Sequence, residues 1–324
     1  MENRARFRFL SLHLLVIREV LNILDPFDYI NFSQASNKCR KLSTIKKSYG
    51  VSLLIRENPE VLIGNRPILY GVKWTKEKEK DGTRDDRTYP NQYHEIRVKY
   101  SENPLDSMKE LYLYARSLMG IEIGSLGFIM DHFNGQWREI VDGLHSTFRR
   151  IPSLQIKGKD QRQDELQYIL DNVKHTSHLY IFANTIEGLP LNIPMTIEKV
   201  TIQYGSWITL DYVMSLKIRN FSLWNTNLTN ESINVIFKSW IEMKSHQNLE
   251  HLEINLTNRA DFVQDGLKDI PYKMRSSITE LNPFYAQEEE IFEVTRKDGR
   301  MATIEVSEFP IGFFVKLNVV TPKK

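Results

Sequence analysis

The segment Leu10–Leu42, LSLHLLVIREVLNILDPFDYINFSQASNKCRKL, decides how this chain is read. Leu14, Ile17, Leu21 and Leu24 recur at the spacing of one helical face, and Val16, Val20 and Ile23 run beside them. Only Arg18, Glu19 and Asn22 are left for water. Such a helix lies deep in a core or is covered on one side by another protein. Asp25 can cap the next helix with Pro26 at its first position, where a missing N–H costs nothing. Phe27, Ile30 and Phe32 load that second helix. Ser36 or Asn37 can cap a third, Asn37–Lys47, with Cys39, Leu42 and Ile45 inside and Lys38, Arg40, Lys41, Lys46 and Lys47 outside. Three short helices cannot bury this much apolar surface among themselves. The excess asks for a partner.

Working outward, 324 residues allow one large domain or a small one joined to a larger one. The 43 basic and 41 acidic residues nearly cancel, so there is no global electrostatic case for a nucleic acid or an anionic membrane as partner. A single cysteine, Cys39, excludes an intrachain disulfide framework and fits a reducing compartment. Arg4, Arg6 and Arg8 ahead of Phe9–Ile17 imitate a signal peptide. Arg18 and Glu19 follow at once, however, without a small-residue cleavage site, and they leave the run too short to span a bilayer. The expected location is intracellular, in the cytoplasm, the nucleus or both.

Beyond residue 48, β-like fragments (Val51–Ile55, Val61–Ile63, Ile68–Val72) lead into the charged run Lys73–Arg87, read as a solvated excursion around a turn at Asp81-Gly82. Apolar residues two apart then recur at Ile96/Val98, Ile121/Ile123, Leu154/Ile156, Leu179/Ile181, Val200/Ile202, Phe221/Leu223 and Leu252/Ile254. Helical patterns fall between several of them, notably Asp164–Lys174 and Asn230–Lys244. Strand-plus-helix units at this period are the mark of a leucine-rich-repeat-like solenoid. Asn220–Ile233 reads as one unit and Asn248–Leu256 opens the next. Glu290–Val306 reads as a hairpin around Lys297-Asp298-Gly299, whose three-residue loop pairs Val294 with Ala302 and Phe292 with Ile304. Phe313, Val315, Leu317 and Val319 alternate as a third strand. This small sheet is expected to close the open end of the array.

The sequence offers no phosphate-cradling Gly-rich loop, no Cys/His zinc spacing and no nucleophile elbow. No catalytic, cofactor-binding or metal residue is assigned. Asp171, His175 and His178 could pass for metal ligands, but they fall where the helix from Asp164 is expected to end, and a His is favoured there by the helix dipole alone. His246 and His251 read as surface residues. Asp298 is what an Asp-Gly turn demands. The five bases of Asn37–Lys47 suggest a solvated face or an acidic protein partner more than phosphate contact, which would bring steep salt dependence. The tryptophans (74, 137, 207, 224 and 240) read as core.

Leu12, Leu14, Ile17, Glu19-Val20-Leu21, Leu24, Asp25-Pro26 and the Phe32–Leu42 stretch together resemble an F-box. His13 stands where that family usually has proline. Phe221–Trp240, Asn248–Leu256 and Arg296–Ile304 resemble the type-two F-box-associated domain of the large nematode F-box families. The resemblance implies a substrate-recognition subunit of a Skp–cullin–F-box ubiquitin ligase. Such a subunit is non-catalytic and cofactor-free, docking on a Skp-type adaptor and, through it, a cullin. Carried over residue by residue, the adaptor-binding set is Leu12, Leu14, Ile17, Val20, Leu21, Leu24, Pro26 and Ile30. The alternative is a non-ligase leucine-rich-repeat-like scaffold whose N-terminal helices cap its own core. The expected fold class is α+β / α/β: an N-terminal three-helix F-box, then an irregular leucine-rich-repeat-like βα solenoid closed by a small C-terminal antiparallel sheet. The expected domains are 1–48 for docking, 49–95 as a connecting segment with a charged surface loop, and 96–324 for target recognition. A concave strand face suggests a protein or peptide target, and loops 73–94 and 257–289 are where specificity would sit.

Overall fold

A computed structural model of the chain describes residues 9–43, 47–65, 67–133, 135–144, 147–148, 150, 151–188, 190–194, 196–278, 288–309 and 312–320. Ile45 and Lys46 of the expected third helix, the arginines at 4, 6 and 8, and most of the 279–289 part of the second loop lie outside the described residues. The chain divides into two compact units, Met1–Gly127 and Phe128–Lys324. That division falls inside the stretch 96–324 taken from the sequence as one domain.

The first unit opens with α1 (Leu14–Ile23), α2 (Pro26–Gln34) and α3 (Asn37–Leu42). The caps follow from the sequence. His13 Nδ1 accepts from the Leu15 N–H, Asp25 accepts from the Phe27 and Asp28 N–H groups, and Ser36 accepts from Cys39 N–H. The third helix stops at Leu42 rather than Lys47. Ser43 closes it: its N–H bonds to the Cys39 and Arg40 carbonyls and its hydroxyl donates to the Cys39 carbonyl, the local competition that Ser offers a helix.

Strands β1 (Gly50–Ile55), β2 (Glu60–Asn65) and β3 (Ile68–Thr75) form an antiparallel meander where the β-like fragments were expected. After β4 (Arg87–Tyr89), β5 (Gln92–Tyr100) runs parallel to β3 in the register Ile68↔Tyr93 to Thr75↔Tyr100. Then come α4 (Pro104–Met119) and β6 (Ile123–Ile129), and the order in this part of the sheet is β6-β1-β2-β3-β5-β4. Ile121 therefore precedes its strand. α4, which the strand pattern did not announce, is bounded by Pro104 in its first turn and by Gly120 at φ 69°, left-handed as a C-terminal glycine should be.

The charged run makes the expected exposed excursion over residues 76–84, turning at Asp81-Gly82, but its two ends are tied down. Trp74 and Thr75 are buried in β3. Glu60, fully buried at the start of β2, is paired with Arg56 and with Arg87 at 2.7 Å, and Asp85 takes Arg87 and Lys73. Hydrogen bonding from Arg87, with Lys73 behind it, holds the Asp85 carboxyl down to about 2 despite its partial burial. A buried carboxylate is tolerated here because it is paired on both sides.

The second unit contains α5 (Trp137–Leu144), β7 (Ile151–Gln161), α6 (Gln163–Asn172), β8 (His175–Thr185), β9 (Lys199–Ile202), α7 (Leu210–Ser215), β10 (Asn220–Leu223), α8 (Asn230–Ile241), β11 (His251–Asn255), β12 (Tyr272–Ile278), β13 (Glu288–Thr295), β14 (Met301–Phe309) and β15 (Gly312–Val319). Its strand order is β12-β13-β14-β15-β11-β10-β9-β8-β7, parallel from β7 to β11 and antiparallel from β15 outward. Two cross-strand apolar rows form the core. One runs Leu154, Leu179, Val200, Phe221, Leu252, Leu317, Ile304, Phe292; the other runs Ile156, Ile181, Ile202, Leu223, Ile254, Val315, Val306, all buried. The hairpin holds the expected register, Val294↔Ala302 and Phe292↔Ile304, with Gly299 at φ 85°. On β15, Val315 and Leu317 are buried as expected, while Phe313 and Val319 are half-buried and Phe314 is buried on the opposite face.

Side-chain amides stitch successive crossovers together. Asn225 donates to the Gln203 carbonyl, Asn227 to Ser206, Asn230 to Asn258, and the buried Asn234 to both Gly266 and Lys268. These bonds satisfy loop carbonyls that irregular backbone would otherwise leave bare.

Two histidine expectations are corrected. α6 ends at Asn172, with Val173 already extended, so His175 and His178 begin β8 instead of sitting on the helix end. α8 ends at Ile241, and the chain turns through Met243 and His246 at φ 62° and 52°. That turn drives His246 inward. Nε2 donates to the Val213 carbonyl at 3.0 Å and Nδ1 accepts from Ser245 Oγ at 2.8 Å.

Burial pushes the His246 imidazole below its ordinary value of 6.5. The unfolded chain then binds a proton that the folded chain refuses. Stability is full above about pH 6.5 and falls as the pH drops through that value. Urea denaturation between about pH 7.5 and 5.5 is expected to give a shallower loss of stability for His246→Gln than for the wild type.

Candidate functional site

α1 has more apolar surface than its surroundings cover. Ile17 and Leu21, one turn apart, point inward and are 3% and 0% exposed. Leu14, Leu15, Val16 and Ile23 are 46%, 64%, 46% and 82% exposed. Fully burying a Leu or Ile side chain is worth about 1.5–3 kcal/mol, so this patch leaves several kcal/mol unrealised in the free chain.

The structure thus divides the eight residues singled out in the sequence. Leu14 is exposed, and Leu12, Val20 and Leu24 are half-buried beside it. Ile17, Leu21, Pro26 and Ile30 are buried within the chain. Leu15, Val16 and Ile23 were not in that set, though Ile23 is the most exposed of all. With so few polar residues on α1, periodicity could not tell its inner stripe from its outer one.

The three helices are held firmly from beneath. Arg97 on β5 pairs with Asp25 and Asp28 at 2.8 Å each, gripping the N-terminal turn of α2. Ser33 Oγ lies 2.8 Å from the Tyr114 hydroxyl of α4, and Arg40 stacks over the same ring. Lys47 is not an outward base. Its amino group donates to the Leu21 and Asn22 carbonyls, orphaned at the end of α1, and lies 5.2 Å from the Tyr29 ring centre. Burial lowers its pKa. Lys38 likewise reaches the Leu10 carbonyl. Lys38, Arg40 and Lys41 remain exposed.

A second candidate surface is the face of β7–β11 opposite the apolar rows. His178, Tyr180 and Phe182 stack along β8 with centroids 6.4 and 6.2 Å apart, and Lys157 lies over Phe182. Just past β10, Trp224 Nε1–H donates to Glu253 at 2.6 Å and its ring meets Phe314 edge-on. Trp74, Trp137 and Trp240 are buried as the sequence suggested, while Trp207 and Trp224 are only half-buried. His251 bonds to Asn318 across β11 and β15. Among the described residues no group of three His, Cys, Asp or Glu could hold a metal ion, and no helix is long and apolar enough to cross a membrane.

The first unit thus carries three short helices with one uncovered apolar patch on α1, and the second carries parallel strands continued by an antiparallel hairpin. Residues 9–49 match the family model of the F-box domain, and residues 190–254 match the model described as F-box associated. No curated protein and no solved structure matches the chain. The chain therefore carries an F-box match near its N-terminus and an F-box-associated match in its C-terminal half. The F-box match ends just beyond α3, and the second match spans β9 to β11.

Hydrogen bonding from Arg97 holds the Asp28 carboxyl below its ordinary value. A depressed carboxylate stabilises the fold above its unfolded value, and that contribution fades as the pH falls through the folded one. Arg97→Met is expected to return the Asp28 resonance in an NMR titration to the usual carboxylate range. The associated loss of stability at neutral pH is small, because Asp28 is half exposed and water screens the pair.

Proposed function

We propose that this chain is a substrate-recognition subunit of a Skp–cullin–F-box ubiquitin ligase, acting in the cytoplasm, the nucleus or both. F-box domains generally bind a Skp-type adaptor and, through it, a cullin. The observation that supports the role most directly is the uncovered apolar patch of Leu14, Leu15, Val16 and Ile23 on a helix anchored to its own unit. In this reading Leu12, Val20 and Leu24 border the adaptor contact, while Ile17, Leu21, Pro26 and Ile30 support it from inside. Residues 1–48 dock and 96–324 receive a protein target, with the βα array acting as an irregular leucine-rich-repeat-like stack.

The chain performs no bond-breaking step in this scheme. Holding a target beside a charged ubiquitin carrier raises the effective concentration of its lysines. The contacts of Arg97, Ser33 and Lys47 favour a second reading, in which the helices only cap the protein's own core in a non-ligase scaffold. That reading leaves the exposed apolar patch without a role.

Leu15→Asp with Ile23→Asp is expected to abolish capture by a purified Skp-type adaptor, because each charge would be desolvated in an apolar contact. The circular dichroism spectrum should be unchanged, both sites being exposed. Capture retained by the folded double variant would remove the ligase reading. Leu21→Asp serves as the contrast: it places a charge at a fully buried site and is expected to unfold the helices.

A further inference from the structure

The sheet of the second unit ends at β12, which has no neighbour on its outer side among the described residues. Natural proteins shield such edges with short strands, charged side chains, prolines, bulges or covering segments. The outer strand of the first unit, β4, follows this rule with three residues. Of these devices β12 shows, among the described residues, only the charges of Lys273 and Arg275. It is seven residues long, YKMRSSI, with no proline or glycine, and pairs with β13 in an unbroken register from Tyr272↔Val294 to Ile278↔Glu288.

The chemistry of this edge alternates. Tyr272 and Met274, 40% and 59% exposed, lie on the face that carries Phe292 and Val294, and the Tyr272 ring meets Phe292 edge-on. Lys273 and Arg275 lie on the other face. Glu293 of β13 lies across from Lys273 and pairs with Arg275 at 3.1 Å, whereas the exposed Lys273 side chain has no ion pair or hydrogen bond among the described residues. A strand added outside β12 would therefore meet apolar side chains on one face and two cations on the other. Directly opposed unlike charges stabilise a strand pair and like charges destabilise it. A second copy pairing through its own β12 would set lysine and arginine against lysine and arginine.

We propose that β12 is a strand-addition site for an extended segment of a partner protein in which acidic and apolar residues alternate. Main-chain hydrogen bonds to the open edge supply affinity, while Lys273, Arg275, Tyr272 and Met274 select the sequence. The role of that partner as a ligase target rests on the reading above; the binding itself does not, and it is measured without any adaptor.

The test uses the full-length chain in fluorescence anisotropy with two labelled peptides of about eight residues, the length of an ordinary strand. One alternates glutamate with valine and the other lysine with valine. The wild type is expected to bind the acidic peptide about tenfold or more tighter than the basic one. Lys273→Gln with Arg275→Gln, both at exposed positions, should bring that ratio close to one while the circular dichroism spectrum is unchanged. Three results overturn the proposal: no binding of the acidic peptide, equal binding of both by the wild type, or a preference that survives the double substitution. Dimerisation of the free chain through β12, detected by sedimentation and altered by the same substitutions, would assign the edge to a second copy and also overturn it.

Discussion

A helix that is apolar nearly all round can give only one stripe to its own core. In α1 that stripe is Ile17 and Leu21, and the rest of the N-terminal structure follows from where they point. Lys47 ties off the carbonyls at the end of the helix, and Arg97 fixes the start of α2 through two carboxylates. With the inner stripe anchored, Leu14, Leu15, Val16 and Ile23 have to face outward. A patch held this way loses little freedom when a partner covers it, so more of the burial energy goes into binding.

The second unit solves a different problem. Strands as short as the four residues of β9 and β10 cannot hold a sheet by themselves. They depend on apolar rows that continue across their neighbours and on amide bonds that lock each crossover to the next. Antiparallel pairing of β15 with β11 then carries the same rows into the hairpin strands. Two buried polar side chains in this unit are bonded in specific ways: Asn234 to two carbonyls, His246 to a carbonyl and a hydroxyl.

Much of this was legible in the sequence because the signals were local. Asp25-Pro26 and Ser36 marked helix starts, Asp298-Gly299 fixed a turn and through it a register, and paired apolar residues such as Val200/Ile202 marked parallel strands. Other features depended on contacts distant in sequence. Nothing near Glu60 reveals that Arg87 will pair with it, so the ion pairs that tie down the ends of the exposed run 73–87 were not legible. His246 looked like a surface residue because its burial comes from a left-handed turn and from Val213, far back along the chain. The outward face of α1 was hidden for the opposite reason: its residues are so uniformly apolar that pattern carries no direction. The eight residues inferred by resemblance therefore include both buried and exposed side chains.

Hydrogen–deuterium exchange of the full-length chain, with and without a purified Skp-type adaptor, tests the central claim most directly. The account predicts added protection in Leu14–Ile23 and the adjoining turn at Leu24-Asp25, with exchange in β7–β11 unchanged. Unaltered exchange throughout α1 at saturating adaptor, or protection confined to the parallel strands, would contradict it.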